Sequence, residues 1–417
     1  MDLKNINDSE KKKPLIVSPA GNLEKLKFAV KYGADNIYFG GEGFNLRVQA
    51  DNFTFPEILE GVKYCRERGV KTTFLMNSFL HENQLKDAEN YALKVKDLGC
   101  DSVMISDPGM LMILKDAGIE ADFHLSTQMS TLNHRSAKFW LDAGFKRIVL
   151  AREVTLDEIR EIKRNCDAEI EIFAHGALCI AYSGRCLLSR YLSGRDANGG
   201  DCSQPCRWKY SLMEEKRPGL YLDIMENRGG TEILSSKDLC LIERIEEYAD
   251  AGVDAFKIEG RMKSLYHAAN TTRIYRHAVN LAGTNGFAEN LPFWLKELDL
   301  INHRPYTSDL FNEFHLKGYD GVPYINKALF VAYRADEGEC DEIMVKTFNP
   351  MYPGEKLECI YPIGERVLDK SYIVEKIYLE DQEIEMARPN SIYRIKLDSP
   401  VFDDAIFRRP IYPKEKN

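Results

Sequence analysis

The stretch LIVSPAGNLEKLKFAVKYGADNIYFGG, residues 15–41, holds one strand–helix–strand unit. LIVSPA (Leu15–Ala20) is almost wholly apolar, as a strand covered on both faces must be. NLEKLKFAVKYGA then changes to helical spacing, an amphipathic helix. NIYFGG (Asn36–Gly41) returns to strand.

Working outward, the same alternation runs eight times. Thr54 is placed to cap a helix from Phe55 to about Arg68. TTFLMN (Thr72–Asn77) precedes a helix over Asn83–Leu98, and SVMISD (Ser102–Asp107) one near Met110–Ala117. DFHLSTQ (Asp122–Gln128) precedes Arg135–Ala143, and RIVLARE (Arg147–Glu153) precedes Leu156–Arg164. EIEIFAHG (Glu169–Gly176) is the seventh strand, with its helix expected only at Lys237–Ala251. AFKIEGR (Ala255–Arg261) is the eighth, followed by Leu265–Ala282. Gly33, Gly69, Gly99 and Gly144 stand where helices end, the left-handed cap that glycine supplies. Apolar strands alternating with helices imply a parallel sheet covered on both faces, and eight units is the count that closes a (β/α)8 TIM-like barrel. A doubly wound dinucleotide-binding sheet is disfavoured, because Ala20-Gly21-Asn22 is no G-x-G-x-x-G turn.

The expected organisation is a polar leader over 1–14, a barrel over 15–282 with an insertion at 177–236, a wrapping linker over 283–327, and a small all-β barrel over 328–417. The last rests on short alternating runs (LFVAYRA, EIMVKTF, EKLECIYP, YIVEKIYL, SIYRIKLD) separated by turn residues. A formal net charge of −9 excludes a globally basic nucleic-acid binder, so any RNA contact needs a local patch. No apolar run approaches the ~20 residues that span a bilayer. Met1 to Lys13 is polar, without the apolar segment of a secretory signal, so a reducing cytoplasm is expected for the ten cysteines.

The seventh unit is anomalous. About sixty residues separate its strand from its helix, against a usual two to six or so. Four cysteines, Cys179, Cys186, Cys202 and Cys206, lie there. Gly184 sits between the first two and Pro205 between the last two. Four gathered thiolates suit an iron–sulfur cluster or zinc; the pair spacings are not those of a short zinc ribbon, which favours iron–sulfur. Cys240, in SSKDLC, is the rival to Cys206 for the fourth ligand place. Cys65, Cys100, Cys166, Cys340 and Cys359 read as structural.

The insertion carries Arg185, Arg190, Arg195, Arg207 and Lys209 against Asp196 and Asp201, interleaved with Tyr182, Tyr191, Trp208 and Tyr210. That mixture suits a single-stranded RNA loop and equally an ordinary solvated loop. At the strand ends, Ser18, Asn22, Arg47, Asn77, Asp107, His124, Ser126, Gln128, Arg152, Glu153, His175, Lys257, Glu259 and Arg261 are expected to point into the barrel top. Polar groups in apolar strands cost free energy unless paired or used. His175, His124, Glu153 and Glu259 are the catalytic candidates; Arg47, Gln128, Arg152, Lys257 and Arg261 are the substrate-binding ones. The bland alternative is an internal network, for example a Glu259–Arg261 pair.

The run Glu171, Phe173, Gly176, Ala177, Leu178, Cys179, Gly184, Cys186, Leu188 and Ser189 resembles, without departure, the signature of the peptidase U32 family, whose older label is collagenase-like protease. KIEGRMKS (Lys257–Ser264), SPAGNLEKL (Ser18–Leu26) and HLSTQ (His124–Gln128) are similar to that family too. The resemblance is greatest to its prephenate-dependent tRNA uridine hydroxylases. It implies oxygen-independent hydroxylation of wobble uridine, a 4Fe-4S cluster, prephenate as co-substrate, tRNA as partner and a separate electron donor. A U32-type peptidase is the alternative, although no G-x-S-x-G or H-E-x-x-H stands in the chain. A zinc-stapled RNA-binding factor is the second.

Overall fold

The computed structural model describes residues 13–47, 51–179, 181, 183, 186–207, 212–213, 221–222, 225–227, 230–232, 237–308, 324–338, 340–362 and 370–411. Seven parallel strands come first: β1 (Leu15–Pro19), β2 (Asn36–Phe39), β3 (Lys71–Met76), β4 (Ser102–Ile105), β5 (Asp122–Leu125), β6 (Phe145–Val149) and β7 (Glu169–Ala177). After β8 (Asp238–Cys240) comes β9 (Ala255–Ile258), which pairs in parallel with β7 (Glu171↔Ala255) and with β1 (Leu15↔Ala255). The ring of β1–β7 and β9 is therefore a closed eight-stranded parallel barrel.

Helices α1 (Leu23–Lys31), α2 (Phe55–Arg66), α3 (Leu85–Lys96), α4 (Pro108–Asp116), α5 (His134–Asp142) and α6 (Leu156–Asn165) follow the first six strands. Their starts are set locally. Asn22 accepts the Lys25 N–H at 3.0 Å, and Thr54 with Glu57, like Thr155 with Glu158, forms a reciprocal capping box. Gly33, Gly69, Gly99 and Gly144 all have positive φ at the helix ends. Two cores result. Val17, Tyr38, Leu75, Met104, Val149 and Ala255 fill the barrel. Ile16, Ile37, Phe74, Ile148 and Ile170 pack outward under the helices.

Two expectations are corrected. Asp238–Cys240 is not the start of a helix; it is β8, antiparallel to the end of β7 (Asp238↔Ala177, Leu239↔Gly176, Cys240↔His175). β7 is nine residues long, outruns its barrel neighbours, and needs a partner for its exposed backbone groups. The helix starts at α8 (Ile245–Asp250), after the short helix α7 (Leu188–Ser193) in the cysteine loop. The segment after α9 (Leu265–Leu281) is also not irregular throughout, since Asn285–Asp299 forms α10. Phe287, Trp294 and Leu298 are its buried face, and Pro292 within it masks the helical signal.

β10 (Tyr306–Thr307) pairs with β8. The C-terminal strands β11 (Ala328–Arg334), β12 (Cys340–Thr347), β13 (Lys356–Ile360), β14 (Lys370–Leu379), β15 (Ile392–Val401) and β16 (Ile406–Pro410) close an antiparallel barrel in the order β13-β16-β11-β12-β15-β14. A buried ion cluster joins it to the first barrel: Glu297 accepts from Arg273 at 2.5 Å and from both terminal nitrogens of Arg408 at 2.7 Å.

Candidate active site

The polar residues of the barrel strands separate into two layers. In the lower one, Lys257 donates to Glu171 at 2.8 Å with its ammonium 4.2 Å from the Tyr38 ring centroid, and Arg147 donates to the other Glu171 oxygen at 3.3 Å. Glu171 and Lys257 are 1 % and 3 % exposed, so both charges are matched away from water. Burial would raise the Glu171 carboxyl, but Lys257 and Arg147 outweigh it and hold the group below the usual carboxylate range. His124 belongs to this layer. Burial first, then the neighbouring Arg147, pushes it down to about 3, so it is a neutral imidazole, and its Nδ1 has no partner.

The upper layer opens at the barrel mouth. Glu259 accepts from Arg47 Nη2 at 3.3 Å and lies 3.3 Å from the Tyr38 hydroxyl. Burial works to raise its carboxyl; Arg47 and then Arg152 overcome that and keep it ionised. Arg261 does not pair with Glu259 as the bland alternative expects. It forks onto Asn45 Oδ1 at 3.0 Å and Asn52 Oδ1 at 2.8 Å, and burial lowers it to about 10. Arg152 lies over the Phe173 ring at 4.1 Å, and its Nε is buried without a partner. Gln128 is buried, accepting from Ser106 Oγ at 2.7 Å, while Asn77 reaches Ser126 Oγ at 3.4 Å.

Glu153 ties this mouth to the cysteine loop. It accepts the Ser183 N–H and hydroxyl, each at 2.9 Å. Cys202 of that loop lies near Arg47. Gly176, at φ +106°, lets the loop leave β7 directly against β9, where a Cβ would meet the Glu259 carbonyl oxygen at 2.5 Å.

His175 is placed differently from the expectation. The β7–β9 register slips between Phe173↔Lys257 and His175↔Ile258, and His175 turns toward the helices. Its ring packs against His267, Tyr275 and Tyr306, with Nδ1 3.4 Å from the Tyr275 hydroxyl. Tyr275 Oη donates to the Ala174 carbonyl at 2.8 Å and accepts the Leu241 N–H, so the His175 proton sits on Nδ1 and Nε2 is a buried bare acceptor. Burial, then His267, holds this histidine well below its ordinary value. Ser18 pairs with Thr272, and Asn22 and Asp107 cap helices, so these three are structural.

No disulfide joins any of the ten cysteines. Cys179 is exposed and Cys186, Cys202 and Cys206 are half-buried, so none of these four is a packed core thiol. As soft donors on one loop they fit an iron–sulfur group by type. Among the described residues, no three His, Cys, Asp or Glu side chains converge as a metal site. Cys240 is buried on β8 beside the start of that loop, 3.7 Å from Tyr275 Oη, and burial pushes its thiol up to about 11. Of the insertion's basic and aromatic residues, Arg195 pairs with Asp201, Arg190 is exposed and Tyr191 is 86 % exposed. Tyr182, Arg185, Trp208, Lys209 and Tyr210, and the side chain of Arg207, lie outside the described residues.

Sequence reasoning missed Arg147, Tyr38, Asn45, Asn52 and Ser183. Asn45 and Asn52 had no readable signal. Arg147 had one, a charge opening an apolar strand.

The model of peptidase family U32 matches residues 21–317. A tRNA hydroxylation protein P1 of Bacillus subtilis (strain 168) is 36% identical over 409 residues, covering 95% of each chain. A tRNA hydroxylation protein P of Escherichia coli (strain K12) is 34% identical over 399 residues, covering 84% of this chain and 87% of that one. A collagenase of Porphyromonas gingivalis (strain ATCC BAA-308 / W83) is 34% identical over 316 residues, covering 72% and 73%. With the family model spanning the cysteine loop and the barrel from α1 onward, this chain belongs to peptidase family U32.

Proposed function

We propose that this protein is an RNA-modifying enzyme that hydroxylates the wobble uridine of tRNA without molecular oxygen, with prephenate as hydroxyl donor or co-substrate. The relatives that span most of the chain support the RNA side of this reading, since both are named for tRNA hydroxylation. The observation that carries it in the geometry is the Glu153–Ser183 tether, which joins the cysteine loop to a cationic mouth at 2.9 Å. In this reading Arg152 faces the anionic co-substrate, Arg47 holds Glu259 ionised, Glu259 is the carboxylate available to take a proton, and Tyr191 offers an aromatic face to an unstacked base. Cys179, Cys186 and Cys202, with Cys206 or Cys240, would hold an iron–sulfur cluster. Such a cluster, when bound, supplies one-electron chemistry. The hydroxylation itself is a two-electron oxidation of uridine that balances with the hydroxyl donor as the oxidant, and the separate electron donor of the proposal would only set the cluster's starting redox state.

The test is direct. Anaerobically purified protein, a chemical reductant, prephenate and tRNA lacking the modification should yield hydroxylated uridine, and Glu259→Gln should lose it while remaining folded. No product from a cluster-bearing protein in the presence of prephenate contradicts the reading.

The collagenase relative supports a peptidase reading. A cysteine peptidase needs an imidazole on its thiol. His124, His175 and His267 are buried and held below their ordinary values, and none is hydrogen-bonded to Cys179, Cys186 or Cys202. Gelatin hydrolysis by the pure protein, abolished by one cysteine substitution, would reinstate it. A zinc-stapled RNA-binding factor would be colourless when purified without air, whereas an iron–sulfur protein is brown.

A further inference from the structure

A cavity of about 390 Å³ lies beside the mouth, between the β6–α6 turn, the middle of β7 and α8. Its size is that of a small-molecule site. Ile159, Ile172, Leu239 and Leu241 give it an apolar floor, and Tyr248 closes one side. Three arginines line it, Arg152, Arg160 and Arg244. Arg160 is matched by Asp157 at 2.7 Å and Arg244 by Glu247 at 3.0 Å. Arg152 is different. Its backbone N–H reaches Ser183 Oγ, but its Nε is buried and unpartnered, and its guanidinium carbon lies 4.1 Å from the centroid of the Phe173 ring. A guanidinium held over an aromatic face with its Nε unpartnered is set for a carboxylate. Arg152 also acts on Glu259 at the mouth, and the adjacent Glu153, which lines the same cavity, holds the cysteine loop through Ser183.

We propose that this cavity binds a small carboxylate with an apolar body, the carboxylate on Arg152 and the body on the floor of Ile172, Leu239 and Leu241. This rests on the anionic co-substrate reading above and places that molecule between α6 and α8 rather than in the barrel centre, where Lys257 is already matched by Glu171.

The experiment is calorimetric titration of the full, anaerobically purified chain with prephenate, and with inorganic phosphate as a bare anion. Arg152→Ala removes the anchor, and Leu156→Trp fills the cavity from α6 without touching the mouth. Both should weaken prephenate binding by at least about tenfold, a loss of ~1.4 kcal/mol, and phosphate should bind far more weakly than prephenate. If either variant misfolds by circular dichroism, the other decides. Prephenate bound by wild type and equally by the folded variants overturns the location and leaves the co-substrate reading standing. A wild type that binds no prephenate overturns both. Phosphate binding as tightly as prephenate overturns the apolar-bodied class.

Discussion

Lys257 and Glu171 form an ion pair of 2.8 Å inside the barrel, eighty-six residues apart in sequence and on adjacent strands. The lysine is thereby a matched internal cation. Glu171→Ala would leave Lys257 buried without its anion, while Arg147 keeps Glu169 at 2.8 Å. Breaking a buried pair from one side costs about 3–5 kcal/mol. The denaturant midpoint should fall accordingly, and Glu171→Ala with Lys257→Met together should recover part of the loss. A single variant as stable as wild type would contradict the buried-layer description.

His124 gives a pH dependence whose sign follows from its environment. Its value is about 3 in the folded chain against an ordinary 6.5. The unfolded chain therefore takes up a proton as pH falls through 6.5 while the folded chain does not until about 3. Stability is complete above that window and is lost as pH falls through it, by up to ~1.4 kcal/mol per pH unit. His267, lowered to about 4 by burial and Lys263, acts in the same direction. Chemical denaturation at about pH 7, 6 and 5 should show this slope, and His124→Gln should remove roughly one proton from it. An unchanged slope in the variant contradicts a buried neutral imidazole.

Gly176→Ala should be severe for its size. The position has φ +106°, and the new methyl would meet the Glu259 carbonyl oxygen at 2.5 Å, backbone that cannot swing aside. Strain at such a φ alone costs about 1–3 kcal/mol. The melting temperature should drop and Glu259-dependent activity with it. Gly194→Ala, at φ +73° with open space around it, should cost less.

The fourth thiol is settled by paired variants. If the cluster is held within the loop, Cys206→Ala abolishes its visible absorbance in anaerobic protein and Cys240→Ala, a buried thiol beside Tyr275, does not. The opposite result assigns the place to Cys240, whose strand lies against the start of the loop. Absorbance and iron content unchanged in Cys179→Ala, Cys186→Ala and Cys202→Ala alike would contradict a cluster at this loop.

The eight-unit alternation was legible because buried parallel strands are written as apolar runs and their helices end on glycine, as at Gly33 and Gly144. What sequence does not carry is pairing across distance. Asp238–Cys240 carries no strand signature of its own; it is a strand because β7 runs past its neighbours. His175 shares the alternation of Glu171 and Phe173 and was expected inside, but one slipped residue in the β7–β9 register turns it toward Tyr275. Arg261 was expected to meet a carboxylate and instead meets Asn45 and Asn52, two amides in the turn after β2. The mouth charges Arg47, Arg152 and Glu259 were readable one by one, and their mutual contacts were not.

The central claim is that this chain hydroxylates tRNA. Its most direct test is deletion of the gene in its host, followed by mass spectrometry of nucleosides from digested total tRNA. The account predicts loss of hydroxylated uridine and of nucleosides built on it, restored by the wild-type gene and not by a Glu259→Gln copy. Unchanged levels in a host that carries no second copy of the gene would contradict it.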